Sequence, residues 1–336
     1  MASLKEIAKL AQVSQGTVSF VLNGRGDEFR ISAETQKRIF EVAKSLGYNP
    51  NISARRLRSG GNAVSPVICL FWMLDTRTSM MGRFLKGIQD AISPLEVEYE
   101  IQIQPFKRLS DVQSLVTGTR FNGAIIANAT EEDEYFLEQA DIKVPIVLYQ
   151  RSSKKHSFVN ADNFKTGTEV ARLFENRGHS EVAIIVPNVS SSAVRLRMEG
   201  FLYEAQQLDL KIPQERIVYS EISEEGGYQA VQQLFKFNHL PTAVFVLNDQ
   251  MSVGALMALN ERGISVPNDM ELVSHDDYEV ARFTIPPLTT MHLPVEEMAK
   301  SCVQILLDLM HHQVNVPVKK DFETHLIVRK SCGDFI

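Results

Sequence analysis

Cysteine is scarce in these 336 residues: Cys69, Cys302 and Cys332 lie far apart and form no C-x-x-C pair. Isolated thiols fit reduced side chains and argue against a disulfide framework or a thiolate zinc site. No apolar run reaches the roughly 18 residues of a membrane-spanning helix. The opening Met1-Ala2-Ser3-Leu4-Lys5-Glu6 lacks the apolar stretch of a secretory signal, so the expectation is a cytoplasmic chain that meets no membrane. Catalytic motifs are missing too. There is no H-E-x-x-H, G-x-S-x-G or Walker sequence, and His311-His312 has no companion ligand; no enzyme, cofactor or metal is expected. Ser274-His275-Asp276 is a tempting trio, but neighbours on a strand point to opposite faces.

What is present is unevenly spread. The net charge is −6, yet residues 1–62 hold ten Lys/Arg against five Asp/Glu, a net +5. The other 25 Lys/Arg and 36 Asp/Glu leave −11 for the body. A basic head on an acidic body suits a head that faces nucleic acid, although a solvated basic face would give the same count.

Three short amphipathic segments fill that head. Ser3 and Glu6 make a capping box before the apolar face of Ile7, Ala8, Leu10 and Ala11. Ser14 opens a second segment with the stripe Val18, Val21 and Leu22, ended by Asn23-Gly24. A third begins near Ser32, buries Ile39, Val42, Ala43 and Leu46, and stops at Gly47. The pattern is open to two readings, a plain three-helix bundle or a helix-turn-helix. The second segment favours DNA, because Gln15, Gly16, Thr17 and Ser19 leave its first turns small and polar enough to meet base edges in a major groove.

Asn49-Pro50 then opens the segment Asn51-Ile52-Ser53-Ala54-Arg55-Arg56-Leu57-Arg58, before Ser59-Gly60-Gly61. A helix of about two turns is too short to stand alone. It is either a basic linker or a helix that forms against DNA and wedges Leu57 into the minor groove.

These residues carry a resemblance. Leu4-Lys5-Glu6-Ile7-Ala8, then Val13-Ser14-x-x-Thr17-Val18-Ser19-x-Val21-Leu22-Asn23, then Leu46-Gly47-Tyr48-Asn49-Pro50-Asn51 are similar to the headpiece of the LacI–GalR family of bacterial transcriptional repressors. The resemblance implies that Ser14 opens the recognition helix, that Gln15, Gly16 and Phe20 select the operator, and that Thr17, Ser19 and Asn23 hold the sugar-phosphate backbone. It makes Leu57 the minor-groove lever, with Ala54 and Arg55 as hinge-helix neighbours. Two features depart from the family pattern. Phe20 stands where many relatives carry Arg, so it offers an apolar contact in place of a bidentate one to guanine. The stretch Gly24-Arg25-Gly26-Asp27-Glu28-Phe29-Arg30-Ile31 is also longer than the usual turn.

From Val64 the pattern becomes apolar runs alternating with helical stretches. Strands are expected over Val67–Phe71, Tyr99–Ile103, Ala124–Ala127, Ile146–Tyr149, Val182–Val186, Val244–Leu247, Leu272–Ser274 and Leu326–Val328. Helices are expected over Phe84–Ile92, Gly167–Arg177, Arg197–Leu208, Gly227–Phe235 and Met251–Arg262. Such alternation implies an α/β body of doubly wound parallel sheets, long enough for two lobes, with ligands beyond the carboxyl ends of the strands. The polar residues there include Asn128, Asp162-Asn163, Arg197, Asn248 and Asp276-Asp277. Singly each suits a loop polar or helix cap; together they suit a ligand rich in hydroxyls.

The resemblance extends over this body through Asn160-Ala161-Asp162-Asn163-x-x-x-Gly167, Arg177-Gly178-His179, Arg197-Met198-Glu199-Gly200-Phe201, Asn248-Asp249-Gln250-Met251 and Pro286-Pro287-Leu288-Thr289-Thr290. It implies an effector-binding core like the periplasmic sugar-binding proteins, contacted by Arg197, Asn248 and Asp276, then Asp162. Ile222 falls where sugar-binding relatives often place an aromatic platform; Trp72 could stack instead, or belong to the core.

The resulting expectation is an all-α headpiece over 1–48, a hinge over 49–61 and a core over 62–336. The core's first lobe would span 62–161 with 292–320, and its second 162–291 with 321–336. The function expected is a ligand-responsive transcriptional regulator, a repressor, acting as a homodimer on a double-stranded, pseudo-palindromic operator. Its effector would be a sugar or sugar derivative. No apolar heptad follows Leu326–Val328 to build a coiled-coil tetramer. The rival reading, a transporter's solute-binding protein, needs an export signal and leaves the basic head unused.

Overall fold

A computed structural model describes residues 4–22, 26, 29–46, 65–74, 78–118, 120–237, 239–311, 313–314 and 317–333. Asn23 and the whole hinge expectation, with Ala54, Arg55 and Leu57, lie outside these residues.

The head folds as helices α1 (Leu4–Leu10), α2 (Gln15–Leu22) and α3 (Ala33–Ser45). Ser14 Oγ accepts the Thr17 amide at 3.0 Å, and Ser32 Oγ accepts that of Thr35 at 3.3 Å, so both starts are capped by the side chain that signals them. Ile7, Ala8, Ala11, Val18, Val21, Ile39 and Ala43 form the shared core. Leu10, expected on the apolar face, is 58% exposed. At about 100° per residue it stands roughly a quarter-turn away from the stripe of Ile7, Ala8 and Ala11.

Two sheets of like design follow. The first comprises β1 (Val67–Met73), β2 (Glu100–Phe106), β3 (Gly123–Ala127), β4 (Ile146–Tyr149), β5 (Ser157–Ala161) and β11 (Lys319–Phe322). Its spatial order is β2-β1-β3-β4-β5-β11. The second, from β6 (Val182–Pro187), β7 (Ile217–Ser220), β8 (Ala243–Val246), β9 (Glu271–Asp276), β10 (Thr289–His292) and β12 (His325–Ile327), runs β7-β6-β8-β9-β10-β12. All pairs are parallel except β10 with β12. Each sheet therefore reverses its strand order once, between β1 and β3 and between β6 and β8, which places ligand crevices at those carboxyl ends.

Helices cover the sheets: α4 (Thr78–Ile92), α5 (Gln113–Thr117), α6 (Glu131–Gln139) and α11 (Val295–Met310) with the first, and α7 (Asn163–Asn176), α8 (Ser192–Gln207), α9 (Glu224–Leu234) and α10 (Asp249–Glu261) with the second. α7 and α8 cross so closely that a Cβ on Gly167 would overlap the Arg197 carbonyl, and one on Gly200 the Phe164 carbonyl. Two glycines at that crossing thus fix the helix that carries Arg197.

The chain passes between lobes three times: from β5 to α7, from β10 to α11, and from β11 to β12. The last passage falls after Phe322, not after 320, because Asp321 and Phe322 still pair with Asn160 and Ala161. The middle passage falls after His292, which pairs with Asp276 in the second sheet. The polar edge strand Lys319–Phe322, exposed along most of its length, has no apolar run to announce it.

Candidate functional site

The exposed end of α2 presents Ser14, Gln15 and Gly16, with Thr17, Ser19 and Phe20 half-buried behind them. Phe20 does not project alone. Its ring stacks on Phe29 from the long turn, with centroids 3.6 Å apart and planes at 12°. The extra turn residues thus supply a partner for the aromatic that replaces the more usual Arg.

In the core, the carboxyl ends of both sheets meet at a cleft of about 440 Å³, counting its open mouth. The second lobe contributes Arg197 from α8, Asn248 at the start of α10, and Asp276 at the end of β9. Asn248 Nδ2 donates to Asp276 Oδ2 at 2.6 Å, while its Oδ1 accepts the amides of Gln250 and Met251. The N-cap of α10 and the site are therefore one side chain, held in one rotamer. His275 Nδ1 bonds Asp276 Oδ1 at 2.8 Å. Arg197 donates to the Leu247 carbonyl at 3.2 Å and to Asn163 Oδ1 at 2.8 Å.

The first lobe contributes Asn128 after β3, then Tyr149, Gln150 and Arg151 around the end of β4. Gln150 Oε1 accepts Asn163 Nδ2 at 3.2 Å, which links Arg197 across the lobes. Arg151 Nε donates to the Ala129 carbonyl at 2.5 Å and Nη1 to the Gln150 carbonyl at 2.6 Å. Apolar side chains, among them Met80, Ile222, Leu247 and Leu293, line the remaining walls. Three lining residues, Asn128 (φ 61°), Gln150 (φ 58°) and Asp276 (φ 109°), hold left-handed backbone. Such conformations cost of the order of 1–3 kcal/mol each and concentrate where a site must be pre-organised.

Burial governs the charges. It lowers the Arg197 guanidinium to about 10, against the pull of Asp276, and with the Arg197 charge it pushes His275 down to about 4, so the imidazole is neutral near pH 7. Burial also opposes ionisation of Asp276, but the His275 contact and the Arg197 and Arg83 charges outweigh it and hold the carboxyl below its usual range. Asp249, directly behind the cleft, is pushed up to about 7 by burial and then by the Asp276 charge. It accepts Thr290 Oγ1 at 2.8 Å and the Tyr278 amide at 2.6 Å.

Further contacts tie the lobes. Arg83 of α4 pairs with Glu296 and donates to the carbonyls of Asp276 and Leu293. On the other side, Ser192 Oγ donates to Glu134 at 2.7 Å and Arg195 Nε to Glu131 at 2.8 Å.

Of the six expected effector residues, Asn128, Arg197, Asn248 and Asp276 line this cleft; Trp72 and Asp162 do not. Trp72 is 2% exposed and packs edge-to-face on Phe84, because strand alternation puts it with Ile68 and Leu70 under α4 and α11. Asp162 is exposed and caps α7, accepting the Lys165 amide at 2.9 Å. Tyr149, Gln150 and Arg151 escape the sequence reading, although they meet the strand-end rule as well as Asn128 does. The trio 274–276 is not a catalytic relay: Ser274 bonds Ser252 at 2.6 Å, and His275 bonds Asp276 through Nδ1, with no partner for its Nε2 among the described residues.

Comparison with known proteins agrees with this architecture. Residues 3–51 match the model of bacterial regulatory proteins of the lacI family, and residues 171–332 match that of the periplasmic binding protein-like domain. The chain is 32% identical over 337 residues to the "Probable HTH-type transcriptional repressor ExuR" of Bacillus subtilis (strain 168), covering 98% of both. A LacI family transcription regulator from Clostridium acetobutylicum superposes with a TM-score of 0.75 at 32% identity, covering 79% of this chain and all of that one. The lac repressor dimer bound to operator and the anti-inducer ONPF shares the fold over 99% of both chains, with a TM-score of 0.72 at 24% identity. Among the described residues no helix is long and apolar enough to cross a membrane. With similarity running through head and core alike, the chain belongs to the LacI family of bacterial regulatory proteins, and it is a transcriptional regulator, not an enzyme.

Proposed function

We propose that this protein is a cytoplasmic repressor whose operator affinity is set by a sugar or sugar derivative bound between its lobes. The observation that carries the reading is the cleft, where Arg197, Asn248 and Asp276 are buried and mutually oriented behind a helix-turn-helix headpiece. Residues 1–48 form the headpiece, 49–61 the hinge and the remainder the effector core. Two heads of a homodimer read the half-sites of a pseudo-palindrome, as one recognition helix covers only a few base pairs. Ser14, Gln15, Gly16, Thr17, Ser19, Phe20 and Asn23 meet the operator from the headpiece, and Ala54, Arg55 and Leu57 from the hinge. The basic head supplies the phosphate attraction and the −11 body keeps the rest of the surface off DNA. The effector shifts the equilibrium between lobe arrangements only by its differential affinity for them.

The test is selection of bound sequences from a random duplex library by the full chain. The expected product is a two-fold symmetric site, bound by two chains and released or tightened by ligand. Enrichment of no common sequence would overturn the reading. Leu57→Ala is expected to weaken the selected site while leaving salt-sensitive non-specific binding nearly intact; an equal loss of both would remove Leu57 from the minor groove.

A further inference from the structure

The headpiece carries an aromatic pair on a helix face that is otherwise small and polar. Val18 and Val21 of α2 are buried in the core of the head. At about 100° per residue, the side of α2 turned away from them belongs to Gly16 and Phe20, one turn apart, with Gln15 and Ser19 beside them. Among the described residues a Cβ on Gly16 would meet only Ser14 Oγ, at 3.6 Å. Packing does not demand a glycine there, and its bare backbone leaves an open step one turn before the Phe20 ring. Phe29 reaches that ring from the turn; it is 43% exposed and stacks on Phe20 with centroids 3.6 Å apart. Anchors stand on both sides of it. Gly26 is buried so close to Gln36 that a Cβ would overlap the carboxamide, and its carbonyl accepts the Ile31 amide at 2.9 Å. Ile31 packs against the core, and its carbonyl accepts Gln36 Nε2 at 2.9 Å.

We infer that Phe20 and Phe29 together read a thymine methyl group in the major groove, which makes Phe29, a residue of the turn, a further determinant of operator sequence. This rests on the reading that the exposed end of α2 meets the operator. A phenyl ring neither donates nor accepts a conventional hydrogen bond, so it is blind to the donor and acceptor pattern of the base edges. The apolar group that an unmodified base pair shows in that groove is the 5-methyl of thymine. The exposed part of Phe29 is apolar surface that such a methyl can cover. Two rings held against each other also lose less freedom on binding than a ring that must be ordered by the DNA. The open step at Gly16 lets the base edge come close to the helix beside them. Methylated cytosine carries the same group, so the chemistry recognised is a 5-methylpyrimidine, and thymine is the one that unmodified DNA supplies.

Gel-shift titration of the full chain on its library-selected operator tests this by deleting methyl groups. Each thymine of the half-site is replaced in turn by deoxyuridine, which keeps every hydrogen-bonding group and lacks only the methyl. At one position, replaced in both half-sites together, affinity is expected to fall roughly 15-fold, about fourfold for each buried methyl. There a pair of guanine with methylated cytosine should bind several-fold more tightly than guanine with plain cytosine. Phe29→Ala should weaken binding to the thymine operator and shrink its uridine penalty to about twofold or less, since the coupling leaves with the ring. Phe29→Leu, gentler on packing, should fall between, and circular dichroism shows that each variant keeps its fold. The uridine and methylcytosine arms use the unaltered chain and decide the methyl reading by themselves. Equal affinity for thymine and uridine at every position, no gain from methylated cytosine, or a uridine penalty unchanged in both Phe29 variants would overturn the assignment and leave the operator reading standing. Selection of no common sequence would remove that reading, and this one with it.

Discussion

In the second lobe Asn248, Asp276, His275 and Arg197 bond one another or nearby backbone before any ligand arrives. In the first lobe Asn128 Nδ2 has no partner among the described residues, and Arg151 is steered by two carbonyls and Glu134. The strand order is the same in both. A shared fold therefore yields a receptor lobe whose Asn248, Asp276 and His275 bond one another, although Arg197 Nε and His275 Nε2 have no partner among the described residues, and a closing lobe whose Arg151 is held by backbone carbonyls and Glu134.

The largest expected effect tests whether first-lobe aromatics belong to the core and not the cleft. Trp72→Ala should cost roughly 3–5 kcal/mol of stability in urea unfolding, with the ligand isotherm of the folded fraction unchanged; a weakened isotherm would return Trp72 to the site. Next, Arg197→Ala removes the centre of the pre-organised lobe. The response of operator binding to effector should vanish, with a loss of about 2–5 kcal/mol in ligand binding and operator affinity retained. An unaltered dose–response curve in gel-shift titration would break the comparison.

Asp249 supplies a pH signature of the second lobe. Its carboxyl is raised from 3.8 to about 7 in the folded chain, so between those values the native state holds a proton that the unfolded chain has released. Stability should fall as pH rises from about 4 to 7 through this group, by up to about 4 kcal/mol. Asp249→Asn should flatten that slope in melting curves; an unchanged slope would deny the shift. Glu271 works with the opposite sign. Burial is outweighed by bonds from His179, Arg177 and Cys332, which hold it at about 2, so its stabilisation is present at neutral pH and lost as pH drops through that value. The smallest effect concerns closure. Ser192→Ala removes one interlobe hydrogen bond to Glu134 and should weaken effector affinity by about 1 kcal/mol, with an unchanged melting point in the absence of ligand.

The sequence showed the receptor lobe better than the closing one. Arg197, Asn248 and Asp276 sit inside long ordered motifs, and Asn248 also announces itself as a helix cap. Gln150 and Arg151 sit in no such motif, and the stretch after Ile146–Tyr149 reads as a plain polar loop, so only the folded register brings them to the cleft. Apolar strands such as Val182–Pro187 are legible from their runs of buried residues. The strands Ser157–Ala161, Ile217–Ser220, Thr289–His292 and Lys319–Phe322 are short, polar or at edges, where neighbours rather than intrinsic preference decide the conformation. The opposite error at Trp72 and Asp162 has one cause: a residue at a strand end can face the helix layer or cap the next helix as readily as it can face the ligand.

The three passages between the lobes have a mechanical consequence. A single tether would leave two bodies free to swing and twist in any direction, but three strands of chain crossing side by side act as the pins of a door. They permit bending about one axis and resist twisting and sliding, the behaviour of a hinge and not of a ball joint. Whatever the ligand, the core can then report only one quantity to the heads, the angle at which the door stands.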